Sequence, residues 1–269
     1  TSETFKPKKM KPVVVDPEFK NIWRKNAFQL TELPPGPKIA IVIDDAGLNQ
    51  KRTAAVISLT GPITISFLTY GKNLPEQVRA ARIAGHEIMV HMAMEPLNKS
   101  NDPGPNALLT GTPTRTILEQ LRWGLDRFDG YVGINNHMGS LFTSNSMGMD
   151  VVMRELKRRG LLFLDSRTSG KTVGASIALF YNVPFTQRNI FLDNVATVPA
   201  INKQLQAMEL LAIQNGYVVA IAHPRDATIQ ALSQWLPVMA ERGFVQVPIS
   251  TIVAEQQGLS PINLGRIGD

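Results

Sequence analysis

Two adjacent carboxylates, Asp44 and Asp45, close the apolar run "KIAIVIDDAG" at residues 38–47. Like charges side by side repel, so a counter-ion or ample solvent must hold both of them ionised. Three of the four histidines stand at comparable places: His91 ends "HEIMV", His137 follows Asn135 and Asn136 at the end of "YVGI", and His223 ends "VVAIA". Asp165 ends "LLFL", and Glu95 follows His91 by four residues in "HMAMEP". Aspartate, histidine and glutamate without a thiolate suit Zn²⁺ or another divalent first-row ion, with positions left for water and substrate. Such an ion would also relieve the repulsion, because one carboxylate can coordinate it while the other stays ionised nearby as a base for activated water. Arg167 or Asn135 would orient that base. Each residue also has a plainer reading on its own. A histidine after a strand can be a hydrogen-bonded cap, Asn135 and Asn136 can close a turn, Asp165 can cap a helix or pair with Arg167, and Glu95 can be a solvated loop carboxylate. Their coincidence at five run ends favours a site. His86, at the start of its run, is read as structural.

These side chains need elements that bring them together. Seven apolar runs of strand length, "KIAIVID", "ITISFLT", "HEIMVHM", "YVGINNH", "LLFLDS", "YVVAIAHP" and "FVQVP", alternate with helical patterns at roughly 49–59, 74–84, 114–129, 147–159, 197–215 and 226–242. Several runs are apolar on consecutive residues, as expected of parallel strands covered on both faces. Repeated βα units predict a parallel sheet, and seven strands favour a barrel over a doubly wound sheet. In either architecture the carboxyl ends of the strands share one rim, which gathers residues up to nearly 180 positions apart. Residues 1–36, rich in proline, read as an extended leader that lies on the domain or links it to something upstream; residues 37–269 read as one α/β domain. The stretch 92–113 reads as a loop over the site.

The net charge is +6, but apart from Lys6, Lys8, Lys9 and Lys11 the cations are scattered, which argues against nucleic acid as a partner. There is no cysteine, so disulfides and thiolate metal sites are excluded. No apolar run reaches transmembrane length, and the opening Thr1 suggests that a targeting segment has been removed. "TSGKTVG" and "DPGPN" lack the spacing of a phosphate loop.

The ordered segments "IVIDDAG", "GHEIMVHMAMEP", "NNHMGS", "FLDSRT" and "AIAHP", spread over about residues 38–255, resemble the divergent polysaccharide deacetylases, relatives of the NodB-homology carbohydrate esterases. The resemblance implies a distorted (β/α)7 barrel and metal-dependent removal of N- or O-acetyl groups from a carbohydrate polymer or acetylated glycan. It implies Asp44 as general base, Asp45 and His91 as metal ligands and His223 as general acid. Where ordinary members carry a second histidine before a proline, this chain has Glu95, still a possible ligand. Where they carry an arginine that orients the catalytic aspartate, it reads Asn135, Asn136, His137, Met138 and Gly139. His137 then becomes a replacement ligand and Arg167 the orienting residue, with Asn135, Asn136 and Asp165 on the substrate side. The expected compartment is the periplasm or another extracytoplasmic space. The alternative expectation is a non-catalytic envelope module that keeps the barrel and binds glycan or protein. A metal phosphoesterase would want more histidines on the rim and a basic pocket.

Overall fold

The computed structural model describes residues 13–265, so the four leader lysines lie outside the described residues. In chain order the elements are α1 (Ile22–Asn26), β1 (Lys38–Ala46), α2 (Gln50–Ile57), β2 (Thr64–Leu68), α3 (Leu74–Ile83), β3 (Glu87–Met94), α4 (Thr114–Leu125), β4 (Gly133–Met138) and α5 (Ser146–Arg158). They continue as β5 (Leu162–Asp165), α6 (Gly174–Tyr181), β6 (Phe185–Gln187), β7 (Ile190–Phe191), α7 (Val198–Asn215), β8 (Tyr217–Ala222), α8 (Asp226–Trp235), β9 (Val245–Gln246) and α9 (Ile249–Gln256). Local chemistry marks several boundaries. Asn49 Oδ1 accepts from Arg52 N at the start of α2, Asn145 Oδ1 accepts from Gly148 N at the start of α5, and Gly216, at φ +78°, stops α7.

Eight strands form one sheet in the order β6-β5-β4-β3-β2-β1-β8-β7, with every neighbouring pair parallel, and β9 pairs with the start of β1. The two edge strands, β6 and β7, are joined only by Arg188 and Asn189. Three Cα steps reach no further than about 11 Å, so the sheet has to curl until its edges nearly meet. The result is a distorted (β/α)7 barrel with a seam at Arg188–Asn189. Ile39, Ile41 and Ile43 face the helices, packed with residues such as Val56, Val78 and Ile117. Ala40 and Val42 face inward with Met89, Leu164, Val219 and Ile221. The amino-terminal end of the interior is plugged by α9: Glu87, buried beneath Thr64, accepts from Ser250 N at 3.0 Å and from Phe28 N at 3.2 Å.

Residues 13–36 lie against the barrel. Trp23 is 4% exposed and donates its backbone N–H to Gly160 O, so an indole buried by the domain itself sits within the proline-rich leader. Five of the six helical patterns recur within four residues of the observed bounds, while 226–242 ends as an α-helix already at Trp235, and α1, α6, α9, β6 and β7 have no counterpart in the periodicity. The two strands have three and two residues, too few to show alternation. Among the described residues no helix is long and apolar enough to cross a membrane.

Candidate metal and catalytic site

In a regular strand Asp44 and Asp45 would point to opposite faces. A β-bulge prevents this. The pairing with β2 runs Ile43↔Ile65 and then Ala46↔Phe67, so two aspartates stand opposite the single Ser66. Asp45 takes a left-handed conformation, φ +57°, which costs a non-glycine residue roughly 1–2 kcal/mol. Both carboxylates are thereby aimed at the carboxyl-end rim. On the next strands His91 lies beside Asn135 in register and His137 beside Ala93, so all three polar residues share the inner face.

Asp45 Oδ1, His91 Nε2 and His137 Nδ1 form a near-equilateral triangle with edges of 2.9, 3.3 and 3.2 Å. Three donors held at about 2.1 Å by one ion stand about 3.0 Å apart in octahedral and about 3.4 Å apart in tetrahedral geometry, so the spacing fits a shared cation. The protons agree with the distances. His91 Nδ1 lies 2.8 Å from Asn135 Oδ1, an acceptor, so Nδ1 carries the ring proton and Nε2 presents a lone pair. His137 Nδ1 has at most one proton to share between that lone pair and Asp45 Oδ1, and the buried Oδ1 receives no properly directed hydrogen bond. With both rings neutral, three electron-rich atoms share one proton, an arrangement that a divalent ion would resolve.

Asn135 organises the remainder. Its Oδ1 accepts from Ser66 Oγ at 2.5 Å as well as from His91, and its Nδ2 donates to Asp44 Oδ1 at 2.7 Å and to Ser166 Oγ at 3.2 Å. From the other side, Ile43 pairs with Ala222, which sets His223 next to Asp44. His223 Nδ1 donates to Asp193 Oδ1 at 2.9 Å and the ring stacks on Phe191, which leaves Nε2 free. Burial pushes the Asp44 carboxyl up, only partly offset by His91, His223 and the Asn135 hydrogen bond. Burial acts the same way on Asp45, but the adjacent His137 and His91 rings outweigh it and hold this carboxyl well below the usual range. For His223 burial would lower the imidazole, yet the hydrogen bond and charge of Asp193, followed by Asp44 and Asp45, leave it raised. His91 is likewise raised, by Asp44 and Asp45 against burial.

Four expected site residues are used elsewhere. Glu95 does not join the triangle: its Oε2 accepts from Thr110 N at 2.6 Å and Thr110 Oγ1 at 2.5 Å and so clamps the loop after β3. Its carboxylate is not among the ligand atoms that gather within 4.8 Å of one another. Arg167 does not orient Asp44; its side chain donates to Gln187 Oε1 at 2.9 Å, and Asn135 holds Asp44 instead. Asp165 is buried and spends its carboxylate on Arg167 N and Thr172 Oγ1. Asn136 secures the neighbouring loops through Ser166 N and Met138 O. Conversely, Asp193 joins the site from outside the expected set, although "IFLD" repeats the apolar-run-then-Asp signal of "LLFLD". Ser66, Ser166 and Arg188 join it with no such signal in the chain. Two surface clefts of about 750 and 560 Å³ flank the leader and contain none of the rim residues.

The sequence model of the divergent polysaccharide deacetylases matches residues 41–253, from within β1 to within α9. The chain belongs to this family. Among its relatives, the uncharacterized protein YibQ of Escherichia coli is 36% identical over 197 residues, 73% of this chain and 61% of that protein. The chain therefore spans about 61% of that relative's length. An uncharacterized protein of Haemophilus influenzae is 32% identical over 206 residues, 76% of this chain and 72% of its own. The crystal structure of an uncharacterized protein from Agrobacterium tumefaciens C58 superposes with a TM-score of 0.84 at 29% identity, covering 90% of this chain and 99% of that one. A deacetylase solved with substrate shares the fold at a TM-score of 0.50 and 13% identity, covering 82% of this chain and 92% of its own.

Proposed function

We propose that this protein is a metal-dependent deacetylase of a cell-envelope carbohydrate, acting outside the cytoplasm, with Asp45, His91 and His137 as ligands for Zn²⁺ or a similar divalent ion. The observation that carries the reading is the donor triangle, set beside one buried carboxylate and one Asp-held histidine. When bound, a divalent ion supplies Lewis acidity to water and to the acyl carbonyl. The protein's own groups then have separate tasks. Asp44, fixed by Asn135, takes the proton of the attacking water, and its burial keeps it a stronger base than a solvated carboxylate. His223, its tautomer set by Asp193, presents Nε2 on the opposite side and delivers a proton to the departing amine or alcohol. A raised imidazole is the more readily protonated at neutral pH, as an acid requires.

The test strips the protein with a chelator, reloads it with Zn²⁺ or Co²⁺, and measures acetate release from acetylated glycans and a chromogenic acetyl ester. Expected are one ion per chain and a loss of about 10²–10⁴-fold in turnover for both Asp44→Asn and His223→Ala. Unchanged turnover in both variants would remove the mechanism. Glycan binding without acetate release would instead favour the non-catalytic module.

A further inference from the structure

The barrel's seam carries charge that the proposed chemistry does not use. Arg188, one of the two residues joining the edge strands, donates from Nε to Ser166 O at 2.7 Å and from Nη2 to Arg167 O at 3.0 Å. Its guanidinium lies 3.8 Å from the centre of the Phe191 ring, the same ring that stacks on His223. Arg167 approaches from the loop after β5. Its backbone is left-handed at φ +48° and its amide is pinned by Asp165 Oδ1, while its exposed side chain donates to Gln187 Oε1.

Neither guanidinium forms an ion pair with a carboxylate among the described residues; both are positioned by neutral oxygens. Burial, and then the Arg167 charge, lower the Arg188 guanidinium, and the Asp165 and Asp44 charges that oppose them make no hydrogen bond to it. The two carbonyls take the Nε–Nη2 side of Arg188, so the donors left for an anion are its Nη1 end and the exposed Arg167 fork, which suit the oxygens of a carboxylate or phosphate. Their position is also specific. Ser166 accepts from Arg188 through its carbonyl and from Asn135 through its hydroxyl, so one residue separates the pair from the amide that holds Asp44.

We propose that Arg167 and Arg188 form an anion subsite beside Asp44, so that the sugar brought to the site carries a carboxylate or phosphate next to its acyl group. This rests on the deacetylase reading and narrows its substrate from acetylated glycans in general to acidic ones. Support of Asp44 alone does not account for the pair, because Asn135 already holds that carboxylate and the Arg167 fork faces solvent.

Three probes test it: di-N-acetylchitobiose, the same disaccharide bearing a lactyl ether carboxylate on one ring, and its 6-phosphate. Binding is read by calorimetry on metal-free protein, which does not turn the probes over, and acetate release is read on metal-loaded protein. An anionic probe should bind at least about tenfold more tightly than the neutral one. Whether the carboxylate or the phosphate probe gains more identifies the source of the anion. The preference should shrink in Arg167→Gln, which removes an exposed fork bonded to Gln187, and in Arg188→Lys, which keeps the charge but loses the fork. Melting temperatures of both variants check the fold. Affinities within twofold for all three probes, or a preference that survives both substitutions, would overturn the subsite. Acetate release at equal efficiency from all three would overturn it while leaving the deacetylase reading intact. Anion preference in binding with no acetate release would do the reverse.

Discussion

Asn135 makes four hydrogen bonds from one buried amide, and two substitutions of nearly equal volume separate its roles. In Asn135→Asp the new carboxylate still accepts from Ser66 and from His91 Nδ1, so the ring keeps the tautomer that leaves Nε2 free. What changes is the contact with Asp44, now two carboxylate oxygens at 2.7 Å, worth about 6 kcal/mol of repulsion at an effective dielectric constant of about 20. The pair escapes by taking up a proton, and Asp44 is no longer a free base. Metal affinity should therefore stay within about tenfold of the parent, since the outer partner of His91 is kept, while acetate release falls by about 10²–10⁴-fold. Asn135→Leu removes the partner of His91, and metal affinity should drop by about 10–100-fold. It also strands Asp44, His91 and Ser66, at about 1–3 kcal/mol for each buried group left unpaired. Co²⁺ titration followed by visible absorption, acetate release and thermal denaturation report on the three effects. Full turnover in Asn135→Asp, or parental Co²⁺ affinity in Asn135→Leu, would refute this account of Asn135.

Two further outcomes follow from buried charges. His223 is raised above 6.5 by Asp193 against burial, so the stability it contributes is fully present below pH 6.5 and is lost as pH rises through the folded midpoint. In Asp193→Asn the His223 ring resonance should titrate at lower pH and the alkaline limb of acetate release should move down with it; an unmoved midpoint would count against the pair. At the outer surface, burial would raise Glu155, but hydrogen bonds from Arg158, Arg122 and Arg159 hold it at about 2. Its contribution is present above the unfolded midpoint near 4.5 and is lost as pH falls toward 2, so Glu155→Gln should cost roughly 3 kcal/mol at neutral pH and flatten acid unfolding. Equal denaturant midpoints for parent and variant at pH 7 would show that the three arginines gain nothing from it.

Much of the frame is legible in residue order. Consecutive apolar residues in "KIAIVI", "LLFL" and "YVVAIA" reflect burial on both faces, a local property that periodicity reports directly. The parallel arrangement then dictates that Asp44, His91, His137 and His223 share a rim, whatever the details of packing. Glu95 shows the limit of that logic. It stands four residues after His91, yet Thr110 captures its carboxylate and it stays out of the triangle. Arg167 shows it again: it follows a strand that ends on the same rim as Asp44, yet its side chain donates to Gln187 Oε1 and leaves Asp44 to Asn135.

The order of residue types along the chain determined the fold class, the rim and the identity of the polar groups, because the pleat and the alternation of strands with helices are written in short-range pattern. Only the tertiary structure decided how those groups divide their work. The bulge that turns Asp44 and Asp45 to one side depends on a left-handed backbone at Asp45 and on a register slip against β2. The pairing of His223 with Asp193, the four bonds of Asn135, and the seam where Arg188 meets Arg167 all join atoms from separate strands or loops. Such contacts are set by how the sheet closes on itself, and closure is a property of the whole barrel that no short stretch of sequence encodes.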